Sequence, residues 1–217
     1  LDMVVVSKYL VYNDNSEEIY DNSKFDGCKC IPNTVYEITD EFYFLQPSPH
    51  SKLYRTEICK NIKFPKKVSF TDYLLYLLAL CNAKRVMYIE DALSYYLVDR
   101  PGNSMTDTKE KVFEDHKIVL ESVLSQIKPD YNKLIYARVF FQYRNVLLFL
   151  NQTGSKETKI KYAPKYLELI DSLIPYKKYI LKYYPELTLK NRIYFNLLLS
   201  NIGKKKLFYR IVRVERQ

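Results

Sequence analysis

The sequence predicts a mixed α/β part followed by an all-helical part, and three observations support this prediction. Residues 3–12 and 85–97 are rich in β-branched and aromatic types, which favours strands. Between them, apolar residues recur with helical spacing over residues 73–82. From residue 107 onward the pattern keeps a helical period, interrupted by prolines and glycines. We therefore predict a mixed sheet with helices over residues 1–106 and a helical module over residues 107–217.

The first elements follow from strand composition and turn chemistry. Residues 3–12 predict a strand, and the turn-forming residues 13–16 predict a polar loop after it. The next predicted elements are, in order, an extended segment at 35–38, a short helix at 40–45, an extended connector at prolines 47 and 49, and a short helix at 53–61.

A longer helix is predicted to begin near Asp72. The segment 69–72 reads Ser-Phe-Thr-Asp, which offers N-cap side chains, and the apolar spacing continues to Asn82. Strand character returns on both sides of Glu90 and Asp91, where we predict a bend. A loop is expected at 100–104, which contains a Pro-Gly pair.

The second part reads as a succession of helices. Their predicted ranges are 109–127, 131–151, 161–174, 176–184 and 190–201. Pro129, Gly154, Pro164, Pro175 and Pro185 are expected to separate them.

The net charge is +9, and the excess is concentrated at the C-terminus. The cations there are Lys204, Lys205, Lys206, Arg210, Arg213 and Arg216. They indicate either an anionic partner or a solvated helix end whose cations complement the helix dipole. An apolar stripe formed by Leu207, Phe208, Ile211 and Val212 indicates either contact with a membrane or packing on the preceding helices.

The cysteine spacing and the hydropathy indicate the cellular compartment of the protein. The spacing of Cys28, Cys30, Cys59 and Cys81 does not fit a zinc site, which favours reduced, structural thiols. No leader is recognisable, and no apolar run reaches the roughly 18 residues that a membrane-spanning helix needs. We expect a cytoplasmic protein, either free or peripheral to the inner face of the cell membrane.

Six short segments between residues 52 and 106 together resemble the motifs of a known protein family. They are KLYRTE at 52–57, IKFP at 62–65, FTD at 70–72, AKRVMYI at 83–89, YY at 95–96 and RPGNSMT at 100–106. In order and spacing this set resembles the family 2 glycosyltransferases, which have a GT-A fold and transfer a sugar from a nucleotide-sugar donor to an acceptor hydroxyl. The basic, aromatic end of the chain is similar to the tails of bacterial members that build surface polysaccharides.

The resemblance implies a catalytic base at Asp72. Inverting transfer needs a carboxylate that takes the proton of the acceptor hydroxyl as its oxygen attacks the anomeric carbon. Asp72 matches the aspartate of the family's Glu-Asp pair, whereas Thr71 stands where the glutamate is usual. From the local sequence alone, Asp72 is equally interpreted as a helix cap, and a helix N-terminus is expected to keep it ionised.

Other site residues are also implied by the resemblance. His50 and Lys52 fall on the acceptor side, although His50 is also interpreted as a connector residue beside Pro49. Arg100, Asn103 and Ser104 match a segment near the diphosphate, with an ordinary surface turn as the alternative. His116 is predicted to be a surface residue of the next helix.

Cofactor and partners follow from the same resemblance. The complete enzyme is expected to use a divalent metal, Mn or Mg, held by an Asp-x-Asp segment in a nucleotide-binding half that we do not find in this sequence. The expected partners are a nucleotide-sugar donor, a saccharide or lipid-linked acceptor, and an anionic membrane surface. The alternative is a non-enzymatic basic helical module that binds such a membrane or nucleic acid, although no nucleic-acid-binding motif is recognisable.

Overall fold

The computed structural model describes residues 1–22, 30–37, 40–98, 110–185, 187–201 and 204–213, and it is a mixed α/β structure. Its strands are Met3–Val11 (β1), Glu17–Tyr20 (β2), Val35–Tyr36 (β3), Lys52–Tyr54 (β4) and Val86–Leu97 (β5). Its α-helices are Thr56–Cys59 (α1), Thr71–Asn82 (α2), Lys111–Gln126 (α3), Leu134–Thr153 (α4), Lys156–Asp171 (α5), Lys177–Tyr183 (α6), Leu189–Leu198 (α7) and Lys204–Val212 (α8). Two 3₁₀ segments span Asp40–Phe44 and Ile174–Tyr176. The predicted mixed α/β class is therefore confirmed.

The chain divides into two compact units. The first unit comprises Leu1–Lys66, Phe70–Asp107 and Gln126–Asn132, and it contains β1 to β5 with α1 and α2. The second unit comprises Lys67–Ser69, Thr108–Ser125 and Lys133–Gln217, and its described regular structure is helical. Each unit is described separately below.

Strand β1 is the centre of the sheet. It pairs in parallel with β5 on one side and antiparallel with β2 and β4 on the other, while β3 pairs with the start of β5. Asp2 fixes this arrangement, because its carboxylate accepts backbone hydrogen bonds from Lys84 (2.8 Å) and Arg85 (2.9 Å) just before β5. These bonds lower the pKa of Asp2. One side chain thus joins the starts of two strands that are distant in sequence.

Strand β5 is continuous from Val86 to Leu97, and an irregularity in its pairing lies at Glu90 and Asp91, where a bend was predicted. Val6 pairs with Ile89 and Ser7 pairs with Ala92, which leaves Glu90 and Asp91 between two paired positions. The extra residues form an irregularity within the ladder, because pairing with β1 resumes beyond them. The amino-acid composition indicates an irregularity at Glu90 and Asp91. It does not show that pairing with β1 resumes beyond these residues.

Three further predictions are corrected. Strand β2 directly follows the predicted loop 13–16, where no strand was predicted, and the predicted helix 53–61 is replaced by β4 and the short α1. Helix α5 begins at Lys156 rather than at 161, because Ser155 Oγ accepts a hydrogen bond from the Thr158 backbone N–H (3.1 Å). Pro164 consequently lies inside α5 instead of separating two helices.

Helix α2 forms the apolar core of the first unit. Seven of its residues are buried, on more than one face of the helix: Tyr73, Leu74, Tyr76, Leu77, Leu78, Ala79 and Leu80. The Tyr76 hydroxyl donates to the Phe42 carbonyl, which ties α2 to the 3₁₀ segment. Because the helix is fixed on several sides, the position of its N-terminus is fixed as well.

Helix α4 has the corresponding role in the second unit. Its Phe140 and Tyr143 are fully buried, and Tyr143 Oη donates to the Tyr166 carbonyl of α5 (2.9 Å). Helix α8 packs against α4, α5 and α7 with Phe208 and Val212 fully buried. Of the two interpretations of the apolar stripe on α8, packing therefore accounts for these two residues.

None of the helices within the described ranges combines the length and the hydropathy needed to cross a bilayer. Cys30, Cys59 and Cys81 carry reduced thiols, whereas Cys28 lies outside the described residues.

His116 of α3 is half-buried, so the prediction of a surface position is wrong. Burial lowers its pKa to about 4, against 6.5 for an ordinary histidine, although the neighbouring Asp115 opposes this shift. Between these two values the unfolded chain binds more protons than the folded chain. Stability contributed by neutral His116 is therefore present above pH 6.5 and is lost as the pH falls toward 4.

We predict that His116→Gln reduces the loss of unfolding free energy between pH 6.5 and 4. Urea unfolding across that range measures this slope. The chain has only two histidines, so ¹H NMR titration resolves both, and His50→Gln assigns the second resonance. A His116 that titrates near 6.5 in the folded protein would contradict the prediction.

Candidate functional site

Strand β4 places two polar side chains on one face of the sheet. Lys52 and Tyr54 are two residues apart and therefore point to the same side, while Leu53 between them is 72% exposed on the other. Their partners in β1 are Val5 and Met3, both buried. Pairing with β1 thus turns Lys52 and Tyr54 toward the interior of the first unit.

Asp72 lies in the first turn of α2. Phe70 occupies the N-cap position and makes no side-chain cap, so the predicted side-chain N-cap is wrong. The Asp72 carboxylate instead accepts the backbone N–H groups of Asp72 and Tyr73, which lowers its pKa. Burial outweighs these bonds, and the net effect raises the pKa of Asp72 above its ordinary value of 3.8. The helix N-terminus therefore acts as expected, but it is not the dominant influence.

Two residues beside the site have left-handed backbone conformations. Ser51 precedes Lys52 with φ of 68°, and Phe70 precedes the first turn of α2 with φ of 63°. Such conformations are uncommon for residues other than glycine and persist where surrounding contacts impose them. For Ser51, one such contact is the hydrogen bond between its Oγ and that of Ser94 (2.6 Å).

Lys8 is a residue of this site that the sequence did not reveal. It is only 2% exposed, and its Nζ donates to Gln46 Oε1 at 2.7 Å. The ammonium also lies 5.0 Å from the ring centre of Tyr20 and 5.1 Å from that of Tyr96. Burial lowers its pKa to about 8. A lysine within an apolar strand is the only sequence signal that was available, and it is weak.

Lys52 lies in a similar aromatic environment. Its Nζ donates to the Ser48 carbonyl at 2.5 Å and lies 5.1 Å from the ring centre of Tyr76. Burial, assisted by repulsion from Lys8, lowers the pKa of Lys52 to about 7, and the charge of Asp72 opposes this shift. Lys52 of β4 therefore interacts electrostatically with Lys8 of β1 and with Asp72 of α2.

His50 is exposed and contacts the same cluster. Its ring lies 4.7 Å from that of Tyr96, with the two planes tilted by 54°. The pKa of His50 is lowered by partial burial and then by Lys8, whereas Asp72 raises it. His50, Lys52 and Asp72, which were singled out in the sequence, thus belong to one electrostatic environment.

Tyr54 has a hydroxyl without a hydrogen-bond partner among the described residues, although the oxygen is buried. Burial raises the pKa of this phenol strongly, and the nearby Cys59 and Asp72 add to the effect. A buried hydroxyl that makes no hydrogen bond costs about 1–3 kcal/mol. Tyr54 therefore offers an unused donor close to Asp72.

The other predicted site residues divide into two groups. Thr71 directly precedes Asp72 and is half-buried in the same turn. Arg100, Asn103 and Ser104 lie outside the described residues, so their predicted roles stay predictions.

A divalent metal does not fit this cluster. The described residues contain no group of three or more His, Cys, Asp or Glu side chains that could hold a metal ion. Around Asp72 the charged neighbours are Lys52 and His50, and ammonium groups repel a cation. We assign no metal ligand in the described part of the chain.

Comparison with protein-family models, with curated proteins and with solved structures found no match for this chain. Its function is therefore inferred from the chemistry of the site. The site combines a carboxylate of raised basicity, two buried amines of lowered basicity, an imidazole and an unpaired hydroxyl, surrounded by tyrosines.

We predict that the free energy of unfolding increases between pH 7 and 10.5 because of Lys8 and Lys52. Both pKa values lie below the ordinary 10.5, so the unfolded chain binds more protons in this interval. The stability is present above 10.5 and is lost as the pH falls through about 8 and about 7. Lys52→Met should reduce the slope, as measured by urea unfolding from about pH 6 to about pH 9.

Lys66→Met is the matched control, since it removes the same charge from an exposed position. Equal slopes for Lys52→Met, Lys66→Met and the unaltered protein would contradict the prediction.

Proposed function

We propose that this chain carries the acceptor-side part of an inverting glycosyltransferase with a GT-A-like fold, in which Asp72 is the catalytic base. The observation that supports this proposal is the raised pKa of a largely buried Asp72 beside Lys52 and His50. A carboxylate in an apolar, partly enclosed position is a stronger base than one in water, and general-base catalysis is most effective when its pKa approaches the working pH.

The proposed reaction transfers one proton and exchanges one bond. Asp72 takes the proton of an acceptor hydroxyl while that oxygen forms a bond to the anomeric carbon of the donor. The bond between this carbon and the leaving nucleoside diphosphate breaks, and its electron pair departs with the phosphate oxygen. Because attack and departure occur on opposite faces, the anomeric configuration is inverted.

The neighbouring side chains have supporting roles in this proposal. Burial raises the pKa of Asp72, and the opposing effects of the backbone N–H groups, Lys52 and His50 keep that pKa below the value that burial alone would impose. The paired rings of His50 and Tyr96 would provide a surface for the acceptor sugar. Donor binding, the divalent metal and the diphosphate contacts would come from the nucleotide-binding half that the resemblance implies and from residues 100–104.

We predict that Asp72→Asn lowers the rate of sugar transfer by at least about 100-fold, because the amide cannot accept the proton. The assay follows nucleoside diphosphate release from a panel of nucleotide sugars with Mn²⁺, using this chain and a longer chain extended upstream. The acceptor panel contains neutral and acidic saccharides.

Asp91→Asn is the matched control, since Asp91 is an exposed carboxylate of β5 in the same unit. Retained transfer in Asp72→Asn would eliminate the assigned base. Calorimetry of UDP with Mn²⁺ on this chain reports separately whether a donor site lies within residues 1–217.

A peripheral membrane role is proposed as an addition to this function. Lys205, Lys206, Arg210 and Arg213 of the α8 region are exposed, whereas Lys204 pairs with Asp171. Because Phe208 and Val212 are buried in the second unit, attraction to anionic headgroups rather than deep insertion of α8 would supply the binding.

We predict that replacing Lys205 and Lys206 together by Gln weakens binding to phosphatidylserine vesicles by about 30-fold, from about 1 kcal/mol per cation. Vesicle flotation at low and high salt measures this effect, with Lys177 and Lys178 replaced by Gln as the charge-matched control. Binding that resists salt, or that is equally strong on duplex DNA, would contradict it.

A further inference from the structure

Lys8 and Lys52 form a lysine pair with too little negative charge around it. Lys8 is 2% exposed, and burial is what lowers the pKa of its ammonium, with no carboxylate of the described residues acting on it. Lys52 is influenced by one carboxylate, that of Asp72. Burying an ammonium without an opposing charge is costly, so such an arrangement is stabilised by any anion that enters it.

The hydrogen-bond acceptors of the two ammonium groups are neutral. The hydrogen bonds of Lys8 and Lys52 go to an amide oxygen of Gln46 and a backbone carbonyl of Ser48, and their remaining neighbours include tyrosine rings. These partners orient the ammonium groups and leave their charge unneutralised. Sequence position explains the rings around Lys8: Tyr20 is its partner across the ladder, and Tyr96 pairs with Leu10 two residues further along β1.

The pair also has access to ligand. Lys52 is half-buried and His50, which feels the charge of both lysines, is exposed, so the cluster opens toward solvent on this side. Tyr54 lies on the same face of β4 as Lys52, with its hydroxyl oxygen buried beneath this opening. A bound anion would contact Lys52 directly and lie within the electrostatic range of Lys8.

We infer that the lysine pair binds an anionic group, a carboxylate or a phosphate, carried by the acceptor saccharide. This inference rests on the proposed function only in identifying the anion as part of the acceptor. The anion would supply the missing negative charge, and its placement near Asp72 would position a neighbouring hydroxyl of the same sugar for deprotonation. The acceptor class is therefore an acidic sugar rather than a neutral one.

Binding of three simple probes tests the inference. Glucuronate, glucose 6-phosphate and glucose are titrated at millimolar concentration into the full chain, with NMR detection of lysine side chains labelled with ¹³C at Cε. We expect at least one anionic sugar to bind ten-fold or more tightly than glucose and to raise the pKa values of Lys8 and Lys52. Comparison of glucuronate with glucose 6-phosphate identifies a carboxylate or a phosphate as the preferred group.

Substitution provides the second arm. Lys8→Met and Lys52→Met should each reduce anion affinity to that of glucose, while Lys66→Met should leave it unchanged. Loss of a buried charge is well tolerated when an apolar chain of similar length replaces it, and the ¹³C titration needs no substitution at all. Equal affinity for charged and neutral sugars, unchanged lysine pKa values with both anions, or undiminished binding in Lys8→Met would overturn the inference.

These outcomes are separable from failure of the proposed function. If an anionic sugar binds the pair but Asp72→Asn retains sugar transfer, the anion site stands and the assigned base fails. If Asp72 is required for transfer but neutral and acidic saccharides bind alike, the base stands and the anion site fails.

Discussion

Parallel pairing of β1 with β5 is the constraint on which the first unit depends. The two strands are separated by more than seventy positions in sequence, yet Asp2 joins their starts by accepting the backbone N–H groups of Lys84 and Arg85. The ladder continues past an irregularity at Glu90 and Asp91 as far as Val11 and Leu97. Once this pairing is set, β1 presents Lys8 beside Tyr96 and also carries β4 along its opposite edge.

The pairing determines the electrostatics of the site as well as its geometry. The side chains of Lys52, Tyr54 and Asp72 are solvated in the unfolded chain. In the folded chain, aromatic rings and backbone enclose them. Burial then acts in opposite directions on the two charge types, raising the pKa of Asp72 and lowering those of Lys8 and Lys52. Lys8 and Lys52 therefore change charge near neutral pH, and Asp72 is a stronger base than a solvated carboxylate.

In the second unit, tertiary packing buries one face of helix α8 and leaves another face exposed. On α8, Phe208 and Val212 face α4, α5 and α7, while Lys205, Lys206 and Arg210 remain exposed. An isolated amphipathic helix with this sequence would have both faces available to a membrane. Packing occupies Phe208 and Val212 of that face, so the surface that α8 presents to solvent is mainly cationic.

Much of the fold could be read from local pattern. The β-branched run of β1, the apolar spacing of α2 and the helical period after residue 107 are local signals, because they arise from the conformational preferences of adjacent residues. His50, Lys52, Thr71 and Asp72 have a different basis, because the resemblance to the family 2 glycosyltransferases singled them out. Sequence alone therefore determined the mixed α/β class, most helices and the identity of a carboxylate worth testing.

Tertiary structure decided what those residues experience. Composition could not show that Lys8 is buried beside Tyr20 and Tyr96, that Tyr54 keeps an unpaired hydroxyl, or that β5 continues past Glu90. Each of these facts depends on contacts between residues far apart in sequence, and burial changes a pKa only after such contacts have excluded water. The sequence supplied the chemical groups, and long-range pairing set their protonation, because solvation is a property of the folded surroundings rather than of the chain.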